Sequence, residues 1–135
     1  MNARTIFILV AAAAAAVAAY RFIGNRGGSQ TASVNVVVPV LTGQAQAGKA
    51  LFDANCAECH GANAAGTADA GPPLVHKIYE PNHHGDLAFQ LAARNGVRAH
   101  HWPFGNMPAV PGVTEQDVDK IVVYVRSLQK ANGIF

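Results

Sequence analysis

Cys56-Ala57-Glu58-Cys59-His60 is the stretch on which the reading of this 135-residue chain turns. Two thiols three positions apart, followed at once by an imidazole, narrow the chemistry sharply. A thioredoxin-like redox pair calls for a βαβ setting, and no alternating strand pattern surrounds the motif. A structural zinc site needs four closed ligands, and the chain has no second cysteine pair. A plain disulfide leaves the histidine without a part. The pattern C-x-x-C-H is the one that covalent haem attachment uses. Each thiol adds to a vinyl group on the porphyrin edge, and the adjoining His60 turns its imidazole onto the iron as proximal ligand.

The flanking segments read as helices separated by loops rich in Gly, Pro, Asn and His. One helix is expected from about Gln44 into the cysteine region, with Ala45, Gly48, Leu51, Phe52 and Cys56 at helical spacing. A second is expected after Asp86 as N-cap, carrying Leu87, Phe89 and Leu91 and stopping at Asn95-Gly96. The third is the clearest. Thr114 caps it, Glu115, Asp117 and Asp119 favour its positive end, and Val118, Ile121, Val122, Val125 and Leu128 make one stripe. The fold class that results is all-α, over residues 42–135.

That region resembles the class I monohaem cytochromes c along essentially its whole length. Gly48 and Phe52 are similar to that family's Gly/aromatic pair on the amino-terminal helix, and Ile121 and Tyr124 to the partners on the carboxy-terminal one. The resemblance implies a small cytochrome c fold, three main helices around one covalently bound haem c. A second axial ligand is then expected, and a thioether sulfur raises the reduction potential. Of the two methionines, Met1 lies in the leader, so Met107 is the candidate; otherwise a second histidine would serve. Gly71-Pro72-Pro73-Leu74 resembles the family's Gly-Pro-x-Leu segment, which implies the Pro72 carbonyl as acceptor from His60 and Leu74 against the haem face. Trp102 matches the position from which some short bacterial members donate an indole N–H to a propionate; edge packing against haem is the other reading. The cofactor-binding set is thus Cys56, Cys59, Pro72, Leu74 and Trp102, with His60 and Met107 on the iron.

The amino end reads as a targeting segment. Met1-Asn2-Ala3-Arg4 is a short basic lead, and Ile6 to Tyr20 runs without a charge or helix breaker. Fifteen helical residues cover only about 22 Å against a hydrocarbon core of roughly 30 Å. Residues 1–23 are therefore either a signal peptide, cut after Ala16-Val17-Ala18 or Val17-Ala18-Ala19, or a retained signal anchor. Residues 24–41 read as a flexible linker, Gly/Ser-rich at first and extended through Val36-Val37-Val38-Pro39-Val40. The linker favours the anchor. Either way the haem domain is exported, and the family resemblance adds the periplasmic side of a bacterial inner membrane, redox partners of a respiratory or related chain, and electron transfer rather than catalysis.

Composition excludes other classes. Charged residues make up 13%, apolar residues 50% and mean hydropathy is +0.15, so the chain is not of the charge-rich disordered kind. Three of ten bases (Arg4, Arg21 and Arg26) lie in the leader and linker, leaving seven against eight acids. A domain so close to neutral is no nucleic-acid binder, and no lysine ring for salt-dependent docking is present. One motif stays open. His76, His83, His84, His100 and His101 crowd into residues 76–101, either as solvated histidines at the haem rim or as ligands to a second metal, copper, zinc or nickel. The second reading makes a haem-plus-copper handling protein the alternative function.

Overall fold

The computed structural model of the chain describes residues 33–135, together with Asn2, residues 15–17 and Tyr20. The targeting segment and the first part of the linker lie outside the described residues, apart from residues 15–17 and Tyr20, which are helical. Among the described residues no helix is long and apolar enough to cross a membrane.

From Gly43 onward the chain is helical with loops between. α1 spans Gly43–Asn55 and α2 Ala57–His60, with Cys56 as the break between them at φ −126° and ψ −30°. Two 3₁₀ turns follow, Ala62–Ala64 and Lys77–Tyr79. α3 spans Asp86–Asn95 and α4 Glu115–Ala131. No strand occurs among the described residues; the nearest thing is an isolated antiparallel bridge between Val97 and Met107. This is the all-α fold that periodicity implies.

The core forms where α1 crosses α4. Gly48 makes the crossing possible: a Cβ there would lie 1.9 Å from the Lys120 carbonyl oxygen and 3.0 Å from the Tyr124 Cβ. One turn further along α1, the fully buried Phe52 meets the fully buried Tyr124, ring centroids 5.5 Å apart and planes tilted at 58°. Ile121, Val125 and Leu128 continue the same buried face of α4. The aromatic pair adds roughly 1 kcal/mol beyond the area that it buries.

α4 starts where its cap dictates. The Thr114 hydroxyl accepts from the Asp117 amide at 3.2 Å, and the Asp117 carboxylate accepts from the Thr114 hydroxyl at 2.6 Å and amide at 3.2 Å. Donation by Thr114 holds the Asp117 carboxyl below the usual carboxylate range. Stability from this box is therefore present above that range and fades as pH falls through the lowered value. Thr114→Ala should cost about 1 kcal/mol near neutral pH. In urea titrations its deficit should shrink as pH falls through the lowered Asp117 value, where the carboxylate is lost.

Three expectations need correction. Asp86 is not the N-cap of α3; Gly85 is, and Asp86 sits in the first turn, accepting from Arg126 Nε at 2.9 Å. Leu87, one of the apolar residues that this helix carries, is 70% exposed, because the helix turns Phe89 and Ala92 toward the interior instead. The linker also ends earlier than residue 41. Val34, Val36 and Leu41 already pack on the core. The Val34 amide donates to Ala65 O at 2.8 Å, and the Asn132 side chain bonds both the amide and the carbonyl of Val37 at 2.9 and 2.8 Å.

Candidate haem site

The motif helix is fixed before the site is assembled. α2 begins directly after Cys56, and the His60 and Gly61 amides donate to Cys56 O and Ala57 O, both at 2.9 Å. The loop that follows returns to it: the Thr67 hydroxyl donates to Cys59 O at 2.8 Å, and the Gly66 amide to His60 O at 2.7 Å. This return brings Pro72 over His60. Its carbonyl oxygen lies 2.9 Å from His60 Nδ1.

That contact defines the imidazole. Nδ1 donates to a carbonyl, so Nε2 keeps the lone pair. Burial holds the His60 pKa below its ordinary value, with the Pro72 carbonyl pulling partly the other way. At neutral pH the ring is uncharged and its free nitrogen is a metal donor.

His60 lines a cavity of about 380 Å³, of the size cofactor sites take. Cys56, Pro72, Leu74, Trp102 and Met107 line it too, and its remaining walls are mostly apolar, with Phe89 and Ala92 from α3 and Val118 and Ile121 from α4. Cys59 is exposed and is not among the lining residues; neither cysteine is paired in a disulfide. Burial, and then the neighbouring Cys59, push the Cys56 thiol up to about 11.

Met107 reaches the cavity from a closed loop. Its amide donates to Val97 O and its carbonyl accepts from the Val97 amide, both at 2.9 Å. Gly96 permits this neck: at φ +74° it sits in the left-handed region, and a Cβ would come 2.5 Å from Met107 O. Asn106 closes the loop further, its Oδ1 accepting from the Ala99 amide at 2.9 Å.

Of the histidines, His84, His100 and His101 line the cavity, and His76 and His83 do not. His101 titrates below its ordinary value, through burial first and then the adjacent rings of His100, His84 and His83.

The fit to haem rests on one unexplained atom as well as on the donors. Trp102 Nε1 is buried and has no hydrogen-bond partner among the described residues. A buried indole N–H without an acceptor costs free energy, and a carboxylate on a cavity occupant would relieve it. An apolar cavity bordered by a thiol, a neutral imidazole, a thioether and an unmatched donor is chemically suited to a haem with propionates.

Sequence reasoning missed two α4 residues that hold the cavity's outer loop. The Gln129 side-chain amide, nearly fully buried, donates to Leu74 O at 2.8 Å and Tyr79 O at 3.0 Å. Arg126 donates to Tyr79 O, His84 O and the Asp86 carboxylate, and its guanidinium lies 5.0 Å from the Phe89 ring centroid. The signal was faint: two polar residues on the edge of an apolar stripe.

Fold and site together define a small all-α haem protein. The sequence model of the family described as cytochrome c matches residues 45–129, and the chain belongs to the cytochrome c family. It carries covalent haem c and is an electron-transfer haem protein, of a family whose members are in general electron carriers rather than enzymes. No curated protein matches the chain.

Proposed function

We propose that the chain shuttles single electrons between redox partners of a respiratory or related chain, with His60 and Met107 as the two axial ligands. Haem supplies an iron that alternates between the ferrous and ferric states. Cys56 and Cys59 would hold it through two thioether bonds. His60, steadied by the Pro72 carbonyl, would bind one axial position and Met107 the other. Leu74, Phe89 and the apolar α4 residues exclude water, which limits reorganisation around the changing charge and favours the neutral-ligand ferrous state. Trp102 would donate to a propionate.

One observation carries this reading. A histidine with a free lone pair and a methionine with a clamped main chain line the same apolar cavity. Two neutral donors filling both axial positions of one iron suit electron transfer better than catalysis, which needs an open position. The test is Met107→Ala. The haem should remain attached, the weak long-wavelength sulfur-to-iron band should vanish, and the potential should fall by on the order of 0.1 V, within the ~0.8 V that axial-ligand choice spans. An unchanged band and potential would make Met107 a packing residue and shift the second ligand to a histidine.

We infer that the haem domain works on the periplasmic side, tethered by residues 5–23 rather than released by signal cleavage. The basic lead, the uncharged run and the Gly/Ser-rich residues after Arg21 support that placement.

A further inference from the structure

The histidine cluster has an order that haem binding does not require. His83 and His84 lie in the turn after Lys77–Tyr79, and His101 lies in the loop closed by the Val97–Met107 neck. One ring nitrogen from each falls within 4.8 Å of the other two. His83 Nε2 and His101 Nε2 face each other at 3.4 Å. That is long for a hydrogen bond, whose N···O counterpart centres near ~2.9–3.0 Å. It matches the edge of a tetrahedral site, since metal–nitrogen bonds of ~2.0–2.1 Å set neighbouring donors about 3.3–3.4 Å apart. A square-planar site would bring them to about 2.9 Å at the same bond lengths.

The third member is held in one tautomer. His84 Nδ1 donates to Ile78 O at 2.6 Å, leaving Nε2 with its lone pair. Metal-binding histidines almost always give their other N–H to such an acceptor. The backbone beneath is held as well. The His83 and His84 amides both donate to Glu80 O, at 3.0 and 2.8 Å, and Arg126 donates to His84 O at 2.6 Å. Three imidazoles without a carboxylate disfavour calcium and magnesium, which want oxygen.

We propose that His83, His84 and His101 form a three-nitrogen site for a closed-shell transition-metal ion, Zn(II) or Cu(I), beside the haem cavity. The two ions share a preference for tetrahedral or trigonal nitrogen donors. A fourth position stays open to water or a small ligand. His84 and His101 also line the haem cavity, so the ion would sit against the haem domain's own wall.

The experiment uses the full-length, haem-loaded protein after chelator treatment. Zn²⁺ is titrated calorimetrically, and Cu(I) is delivered anaerobically in competition with a chromophoric chelator. One saturable equivalent per chain is expected for at least one ion, and the arm that binds assigns the site to it. His83→Gln and His101→Gln should each weaken binding by about a hundredfold, no less than losing an outer-shell partner costs. His76→Gln should bind as the parent does, because its Nδ1 is engaged by the Ile78 amide outside the trio. The haem spectrum should be the same in His83→Gln and His76→Gln, whose side chains do not line the haem cavity, which separates this site from the axial ligands. Absence of one-equivalent binding by both ions overturns the proposal, as does equal affinity in His83→Gln and His101→Gln. A changed haem spectrum in His83→Gln would assign that histidine to the haem and overturn it too.

Discussion

A Gly48→Val protein is expected to lose about 3 kcal/mol or more of stability, at or beyond the upper end of overpacking costs. The atom in the way is a main-chain oxygen. A Cβ on residue 48 would stand 1.9 Å from Lys120 O and 2.6 Å from Lys120 C. A long side chain could swing aside, but a helix carbonyl cannot without moving its helix. α4 would have to withdraw from α1, and the Phe52–Tyr124 contact would open with it. Set against a total of ~5–15 kcal/mol for a typical domain, a loss of that size is disabling. Urea denaturation of the haem-loaded protein, followed by circular dichroism, measures it. Gly85→Ser is the comparison, because a Cβ there meets only Pro81 O at 3.6 Å and serine is a good N-cap. An unshifted midpoint for Gly48→Val would show that the helices cross elsewhere in solution.

His60→Ala is the second large effect, and its readout is haem rather than the helix crossing. The substitution removes the nitrogen donor and empties the place beneath the Pro72 carbonyl. Ligand binding and folding are coupled in proteins of this kind, so the loss should appear in both. Yield of haem-loaded protein should fall by about tenfold or more, as even outer-shell losses cost 10–100-fold. What is recovered should lack the ordinary low-spin spectrum and melt lower. Cys56→Ala and Cys59→Ala should reduce stable holoprotein more mildly, each removing one thioether. Pro72→Ala keeps the carbonyl and should keep the spectrum. A His60→Ala protein with full haem and a normal spectrum would remove His60 from the iron.

How much of this was legible depended on how local each signal was. α4 announced itself because its cap, its early acids and its apolar stripe all lie within one stretch of residues, 114–128. The Cys56–His60 motif is equally local. The Gly48 and Phe52 pairing with Ile121 and Tyr124 joins distant parts of the chain, and it was read through resemblance, not periodicity. What stayed hidden depends on partners far along the chain. Asn132 reaches back to Val37, so a stretch with linker composition is docked. Gln129 is buried because two loop carbonyls need donors, a requirement written nowhere near residue 129. Asp86 has the composition of a cap, but Arg126 claims its carboxylate, and the capping position falls to Gly85. The histidine spacing showed a cluster, while the pairing of His83 with His101 required the fold to bring two loops together.

The neck at Val97 and Met107 makes residue 107 interchangeable. Both of its hydrogen bonds run main chain to main chain, so any non-proline side chain there would be carried to the same wall of the cavity. Methionine is one tenant of that position. An imidazole or a simple methyl group would arrive by the same route, with the fold unaltered and the redox driving force reset. Gly96 has no such freedom, since any side chain would strike the Met107 carbonyl and part the neck. Variation in how readily such proteins give up an electron is thus expected at residue 107, while residue 96 stays glycine.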